Sequence, residues 1–269
     1  MVGAFTLAVS LFLVPGGLWY GYRAITGARL SQTLSGTAPD RGVVDGEPAT
    51  VDGTVVVDEP PEAAETAVGD GDAAVAAYLW RARFPESGDN VVDLEEGEVR
   101  PEMATFASGI ESGSFAVTDG GRTVRIDPSW LVESHDSPAL SAVSVGGITK
   151  SDTFSTYLWD SPYVDLSGDT NEVSLDRLAG VVERHNDGVD LGEYSLQSRA
   201  IREGDTLQVR GEVRVEGGDP VVRGTDGTPL LVSDRGFDAH AGDLRVSAAK
   251  YGLGSLVMLG FVAALLIVL

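Results

Sequence analysis

Ser247 and Lys250 are the two residues whose types and spacing come closest to a catalytic pattern. A serine and a lysine three positions apart lie one turn apart on a helix, where the amine can activate the hydroxyl as a nucleophile. The Ser-Asp-Asn and Lys-Thr-Gly sequences that accompany this pattern in known hydrolases do not occur. Lys250 also directly precedes an apolar segment, where lysines commonly reach toward lipid headgroups. The pair is a candidate for hydrolysis, and membrane anchoring is the competing explanation.

Oxygen-bearing side chains crowd together at positions 165, 167, 169, 171 and 172, as they do in calcium-binding loops. Asp165, Asp169 and Glu172 supply the carboxylates and are therefore candidate metal ligands. The glycine is misplaced for an EF-hand, and the same carboxylates can cap a helix that follows. Both explanations stay open at this point.

Two further patterns favour ordinary structural roles. Residues 69–74 read Gly-Asp-Gly-Asp-Ala-Ala, but two carboxylates inside a phosphate-binding loop would repel the ligand, so a turn is expected. His185 lies near the end of a predicted helix, where its charge complements the helix dipole. Gly-x-Ser-x-Gly, His-Glu-x-x-His and Walker sequences are absent. We therefore expect no cofactor and no complete catalytic site.

The composition excludes several classes of protein. The 269 residues include no Cys and three His, which rules out disulfides, thiolate chemistry and Cys-based zinc sites. The formal charge of -22 argues against nucleic-acid binding, which needs a basic face. Acidic residues are spread evenly and Lys occurs only twice, as on the surfaces of proteins from extreme halophiles. In molar salt the Debye length is about 3 Å, so such a surface repels itself little.

The ends of the chain are uncharged over residues 1–22 and 251–269. Each stretch is long enough to cross a hydrocarbon layer of about 30 Å. We predict transmembrane helices at residues 1–25 and 251–269. A cleaved signal peptide is the alternative for the first, but its basic residues would precede the apolar stretch, and here they follow it. An uncleaved anchor is favoured.

Four basic residues set the expected orientation. Arg23 and Arg29 follow the first apolar stretch, and Arg245 and Lys250 precede the second. By the positive-inside rule, the region between them faces the cytoplasm and both termini face outward. The sequence thus predicts a two-span protein of the cell membrane with a cytoplasmic central domain.

The central region is predicted to be a linker at residues 26–50 and a β-rich domain at residues 51–250. Ser114–Pro128 is the clearest hairpin, because apolar alternation flanks Asp119-Gly120-Gly121. Residues 73–84 fit a helix by their alanines and a strand by the spacing of their aromatic residues. Residues 172–185 carry an i, i+3, i+7 apolar stripe that predicts a helix. The predicted fold class is mainly β, a β-rich α+β domain between two transmembrane helices.

The closing part of the domain reads as a meander. Residues 206–215 alternate, with Leu207, Val209, Val213 and Val215 facing inward, and strands at 221–223 and 230–232 follow after turns. An exposed edge of this meander could capture a peptide by strand addition.

The order of these segments resembles the GIDE domain, also called the "beside a membrane" domain, of mitochondrial membrane-anchored ubiquitin ligases and their bacterial and archaeal relatives. The similarity covers roughly residues 50–250 in widely spaced pieces. It includes a strand around a glycine, a hairpin that ends in Asp-Pro, and a closing Gly-Asp followed by a strand. The matching residues are Gly53, Asp119, Gly121, Asp127, Pro128, Glu193, Gly204, Asp205 and Gly211.

The resemblance implies a non-catalytic binding or scaffold module whose partners are the lipid bilayer and another membrane protein or a second copy. The eukaryotic ligases carry a RING module after the second helix, which needs about eight Cys or His ligands for two zinc ions. This chain has no Cys, and His135, His185 and His240 are far apart in sequence. Ligase activity of its own is therefore not expected. An enzyme of the Ser/Lys type remains the alternative.

Overall fold

The computed structural model describes residues 2–40, 42–69, 71–92, 99–145, 157–182 and 190–267. The chain forms two compact units, one of residues 1–38 with 236–269 and one of residues 39–235. The α-helices are α1 (Val2–Leu34), α2 (Ala64–Val68), α3 (Ser129–Ser134) and α4 (Phe237–Ile267). The strands are β1 (Pro48–Glu59), β2 (Val75–Val92), β3 (Val99–Ser112), β4 (Ser114–Asp119), β5 (Arg122–Asp127), β6 (Val164–Asp165), β7 (Asn171–Ser174), β8 (Ser195–Arg202), β9 (Thr206–Glu216), β10 (Asp219–Arg223) and β11 (Leu231–Ser233).

The first unit is a pair of long helices, α1 and α4. Within the described residues, one helical stretch, Phe237–Leu265, is long and apolar enough to cross a membrane by its length and composition. The large side chains on the outer faces of both helices are exposed and apolar, among them Leu11, Phe12, Leu18, Leu253, Leu256, Val257 and Phe261. Helices that are apolar on their outer faces need an apolar surrounding, and a bilayer provides one.

Small residues let α1 and α4 approach each other closely. A Cβ added at Gly17 would lie 2.8 Å from the Leu259 side chain, and one added at Gly254 would lie 3.0 Å from the Tyr20 ring. The buried Ser255 hydroxyl donates a 2.8 Å hydrogen bond to the Gly17 carbonyl oxygen. Such close contacts and interhelical hydrogen bonds hold helices together where lipid removes the hydrophobic driving force.

The second unit is built around a closed β-barrel. Five strands follow one another in the order β1-β4-β5-β10-β9, and the additional pairing of β1 with β9 closes the ring. The pairs are antiparallel except for β5 with β10, which run parallel. The first strand, β1, pairs with two neighbours, and the third and last barrel strands, β5 and β10, are parallel. This is the connectivity of the five-stranded OB barrel. The barrel is filled by apolar side chains, which include Val51, Val55, Val117, Leu207, Val209 and Val213.

A second sheet has the strand order β3-β2-β8-β7. In sequence, β2 and β3 lie between the barrel strands β1 and β4, whereas β7 and β8 follow the barrel strand β5. Its central strand β2 resolves the ambiguity at residues 73–84 in favour of strand. Leu79 belongs to the barrel-side core, whereas Tyr78 and Trp80 belong to a separate core on the opposite face. Successive side chains of a strand point to opposite faces, so β2 joins the two cores.

Glycines stand where the barrel backbone turns tightly or passes close to itself. Gly120 and Gly121 have φ of 54° and 90° and form the predicted two-residue hairpin turn between β4 and β5. A Cβ at Gly53 would collide with the backbone of Thr118, at the point where β1 changes partners from β9 to β4. A Cβ at Gly113 would likewise collide with the Glu59 carbonyl oxygen.

The predicted helix at residues 172–185 is wrong over the described part of that segment. Residues up to Ser174 form β7, which pairs with β8, and residues 175–182 form successive turns. The stripe residues Leu175, Leu178 and Val182 are buried, as the pattern indicated. A long-range strand partner, which local periodicity does not reveal, decided the conformation. His185 lies outside the described residues.

Two boundaries of the predicted elements also differ from the structure. The predicted linker at residues 26–50 is helical as far as Leu34 and becomes strand at Pro48. The helix that carries the second apolar stretch begins at Phe237 rather than Tyr251, so residues 236–250 belong to the helical unit. Both helices therefore continue beyond their uncharged parts into stretches that contain polar and charged residues.

The closing strands are not a simple meander. β9 and β10 form as predicted, but Val215 is 52% exposed rather than inward-facing. β11 pairs with β9 rather than with β10. Val209 is fully buried and lies between Val51 on β1 and Val232 on β11, so this part of β9 offers no edge for strand addition.

Candidate functional site

A cleft with both polar and apolar walls lies beside the second and third barrel strands of the β unit. Its volume is about 490 Å³. The walls come from the end of β3, the start of β4, the end of β5 and the helix α3. Gly113 lies in this wall, and only a residue without a side chain fits there beside Glu59. Ligand sites in proteins are commonly concavities of this size.

The inner part of the cleft is apolar and its polar groups include several carboxylates. The apolar lining residues, which are buried, include Ile110, Phe115, Ile126 and Val221. The charged lining residues are Glu111, Arg125, Asp127 and Glu216. Three carboxylates to one guanidinium make this cleft unsuited to a polyanion, in agreement with the overall charge of the chain.

Glu111 is the most perturbed carboxyl group of the cleft. Burial raises its pKa, a 2.6 Å hydrogen bond from the Leu140 N–H opposes this, and the nearby charge of Glu62 raises it further. Burial disfavours the charged form of such a carboxyl group. A neutral hydrogen-bond donor or a cation from a partner can bind it, because either contact offsets the cost of burying the charge.

The other two carboxylates already have structural contacts. Asp127 accepts a 3.0 Å hydrogen bond from the Ser129 N–H at the start of α3. Glu216 lies 3.7 Å from the Arg223 guanidinium, and both side chains are well exposed. Pairs this exposed contribute little to stability, so Glu216 can exchange Arg223 for another cation at small cost.

A histidine and a serine that sequence reasoning did not connect are brought together on the other side of α3. His135 Nε2 lies 2.8 Å from Ser161 Oγ, and His135 Nδ1 lies 3.0 Å from the Leu131 carbonyl oxygen. A carbonyl only accepts, so Nδ1 carries the proton and Nε2 accepts from the Ser161 hydroxyl. Burial lowers the pKa of His135, while the hydrogen bond to Leu131 opposes this shift.

This order of hydroxyl, imidazole and orienting acceptor is that of an activated nucleophile. Ser161, however, is only 5% exposed, and its hydroxyl also accepts a 3.3 Å hydrogen bond from the Tyr163 N–H. The contacts fix α3 against the segment that leads into β6, which is a structural role. No signal in the sequence links two such residues 26 positions apart.

The candidate Ser/Lys pair lies on the helical unit. Ser247 and Lys250 are both exposed on α4, on the stretch just before the uncharged residues. The cleft of the β unit does not include either residue.

The candidate metal ligands do not form one site. Asp165 on β6 pairs with Arg235 at 2.6 Å and accepts a hydrogen bond from Ser233. Glu172 on β7 accepts a 2.9 Å hydrogen bond from Gln197, and the pKa of Glu172 is lowered despite its burial. Asp169 lies in the loop between these strands. Over the described ranges, no group of three or more His, Cys, Asp or Glu side chains is arranged to hold a metal ion.

The residues that carry the GIDE resemblance occupy turns and close backbone approaches. Gly204, with φ of 89°, and Asp205 turn the chain from β8 to β9, and the Asp205 carboxylate accepts a 2.6 Å hydrogen bond from the Arg202 N–H. A Cβ at Gly211 would lie 2.5 Å from the Arg223 carbonyl oxygen. Gly53 lies within β1, where a Cβ would collide with the Thr118 backbone. The other motif residues stand at or beside the ends of elements: Asp119, Gly121, Asp127, Pro128 and Glu193.

Comparison with known proteins identifies no relative. No family model matches the chain, and neither a curated protein nor a solved structure matches it.

Proposed function

We propose that this protein is an integral membrane protein with two spans that presents a non-catalytic binding module to other proteins. The observation that supports this most is the helical unit, in which α1 and α4 pack through glycines and Ser255 and expose large apolar side chains outward. A water-soluble pair of helices would carry polar outer faces. The second helix has the required length and composition, and α1 is proposed as its partner span.

The proposed orientation rests on the basic residues that adjoin the uncharged stretches. Arg23, Arg29, Arg245 and Lys250 all lie on the side of the helices that leads into residues 39–235. Basic residues at helix ends favour the cytoplasmic side of a membrane. The β unit is accordingly proposed to be cytoplasmic, with the cell membrane as its location.

The binding site of this module is proposed to be the cleft beside β4 and β5. OB barrels bind extended ligands on the face of their second and third strands and on the neighbouring loops, and β4 and β5 are the corresponding strands here. OB barrels differ in what they bind, so the lining residues of this cleft set its chemistry. Buried apolar side chains and a carboxylate-rich rim fit a neutral or basic peptide segment of another membrane protein.

A family assignment to the GIDE domain stays part of this proposal. It is supported by the order of the segments and by the backbone roles of Gly53, Gly204 and Gly211. The absence of cysteine from the sequence means that a RING-type ligase function would have to come from a separate protein. The excess of Asp and Glu supports adaptation to high salt. All but two of the 41 acidic residues lie in residues 39–235, the unit that is proposed to face the cytoplasm.

Membrane insertion and orientation can be tested on the full chain. We expect the protein to stay in the membrane pellet at high pH and to require detergent for solubility. Because the chain has no cysteine, single cysteines at the exposed positions Asp226 and Ile267 report sidedness without interference. A membrane-impermeant maleimide should label Ile267→Cys in intact cells and label Asp226→Cys only after lysis. A protein that remains soluble without detergent would refute the proposal.

The cleft can be tested by comparing captured partners. Ser129 is exposed and lines the cleft, so Ser129→Trp should fill its mouth without disturbing the core. Asp226→Trp, in an exposed turn outside the cleft, is the matched control. We expect membrane proteins that co-purify with the wild type and with the control to be lost from Ser129→Trp. Identical partners in all three preparations would refute a role for the cleft.

A further inference from the structure

A groove lies between α1 and α4, next to the point where their uncharged stretches end. Its volume is about 520 Å³. One part of the groove has small or apolar walls, which are Ala24, Ile25, Ala28, Ala248 and Ala249. Ser31, Gln32 and Arg245 supply its polar part. An apolar slot with a cation at one end is complementary to an amphipathic anion.

The Arg245 guanidinium is held in place by hydroxyl groups of α1. Its Nε donates a 3.0 Å hydrogen bond to Ser31, and a second nitrogen donates to Ser35. Ser31 is buried and donates in turn to the Ala241 carbonyl oxygen at 2.9 Å. Over the part of the chain that the structure describes, no carboxylate pairs with Arg245. The guanidinium is therefore oriented by neutral hydroxyl oxygens rather than by a carboxylate.

The sign of the charge around this groove is opposite to that of the rest of the chain. Residues 1–38 and 236–269 contain four basic residues, Arg23, Arg29, Arg245 and Lys250, and two acidic ones, Asp238 and Asp243. Residues 39–235 contain the other 15 basic and 39 acidic residues and therefore carry a net charge of -24. Four basic residues within a few helical turns of the apolar stretches form a region that attracts anions near a membrane surface.

The depth of Arg245 matches that of lipid headgroups, provided that α4 spans the membrane as proposed above. Lys250 adjoins the uncharged stretch, and Arg245 lies five residues beyond it, or about 7.5 Å along the helix. The headgroup layer on each side of a bilayer is roughly 5–8 Å thick. Arg245 is therefore at the level of the phosphates, while Ala248 and Ala249 lie closer to the hydrocarbon.

We propose that this groove binds one anionic phospholipid, with its phosphate on Arg245 and its glycerol and upper acyl chain against the alanine walls. Arginine suits this role because its planar fork can hold two phosphate oxygens at once. The small side chains at Ala28 and Ala248 leave the space that the acyl chain fills. The lipid would occupy the contact between the two spans and stabilise their pairing.

The test titrates the detergent-solubilised full chain with short-chain phosphatidylglycerol or phosphatidylcholine and follows the thermal unfolding midpoint. We expect phosphatidylglycerol to raise the midpoint more than phosphatidylcholine does. Arg245→Gln should lower the apparent affinity for phosphatidylglycerol about tenfold. Arg245→Lys should recover only part of this loss, because it keeps the charge but not the planar fork. Ala28→Leu keeps every charge and fills the groove, so it should also weaken binding. Arg29→Gln removes the same charge at an exposed position outside the groove, so it should weaken binding much less than Arg245→Gln does.

Several outcomes would overturn the proposal. Because both lipids carry a phosphate, equal effects of the two on the wild type would contradict a preference for a net negative headgroup. Equal losses in Arg29→Gln and Arg245→Gln would indicate unspecific charge attraction. Stabilisation by inorganic phosphate alone would indicate an anion site rather than a lipid site. A protein that proves soluble without detergent would refute the proposed function itself, whereas a detergent-requiring protein without lipid preference would refute only this inference.

Discussion

The Ser255 hydroxyl and the Gly17 carbonyl oxygen are joined by a 2.8 Å hydrogen bond that is buried between α1 and α4. The contact links positions that are 238 residues apart and fixes the register of the two helices. It forms because Gly21 leaves room for the serine side chain and Gly17 leaves room for Leu259 on the facing helix.

Substitution of Ser255 tests this contact. Ser255→Ala should lower the stability of the helix pair by about 0.6 kcal/mol, since interhelical hydrogen bonds in membranes contribute modestly. Ser255→Leu should be far more disruptive, because a Cβ at Gly21 would already lie 3.1 Å from the serine oxygen. Leu256→Ala, on the exposed face, serves as the control. Thermal unfolding midpoints in detergent rank the stabilities of the three variants. Equal midpoints for Ser255→Leu and Leu256→Ala would contradict the importance of this contact.

Gly113→Ala should be severely destabilising. Its Cβ would collide with the backbone carbonyl oxygen of Glu59, which cannot move without separating β1 from β4. We expect a loss of about 2–3 kcal/mol in the free energy of unfolding. Gly227→Ala, whose Cβ would meet open space, should change it by less than about 0.5 kcal/mol. Denaturant titration followed by tryptophan fluorescence distinguishes the two.

Glu111→Gln should stabilise the β unit at neutral pH. The folded-state pKa of Glu111 is raised above its ordinary value of 4.5, so the wild type loses stability as the pH rises through that raised pKa. The glutamine oxygen can still accept from the Leu140 N–H, and it carries no charge to bury. The advantage of the variant should vanish below pH 4.5, where the wild-type carboxyl is protonated in both states. An advantage that is independent of pH would contradict burial of the charge as its cause.

His135 should produce a slope of the opposite sign. Its folded-state pKa lies below 6.5, so the folded state binds fewer protons than the unfolded state between the two values. The wild type should therefore lose stability as the pH falls from 6.5, relative to His135→Gln, and the difference between the two should be constant above that pH. A difference that does not change with pH between 7.5 and 5 would refute the assignment of a neutral, hydrogen-bonded imidazole.

The parts of the fold that sequence analysis predicted are those whose signals are local. The hairpin at residues 114–128 was readable because Asp119-Gly120-Gly121 supplies the positive φ angles that a tight turn requires. The apolar ends were readable from the absence of charge. The burial of Leu175 and Leu178 was predicted as well, but their conformation was not, because pairing of β7 with β8 displaced the helix.

The barrel and the cleft depend on partners that the sequence does not reveal. The parallel pairing of β5 with β10 brings together residues almost a hundred positions apart, as in Arg125 with Val221. The cleft contains Glu111, Arg125 and Glu216, which come from three different strands or their ends. None of these carries a motif, so only the topology makes them neighbours.

The pairing of β1 with β9 has a consequence for synthesis. Thr50 finds its partner Arg210 only after most of the domain has left the ribosome, so the first barrel strand emerges early and stays open on one side. If α1 enters the membrane first, the unfinished domain is held at the translocation site during this delay. Until β9 arrives, the open edge of β1 is a place where a neighbouring nascent chain can pair, so the delay carries a risk of aggregation.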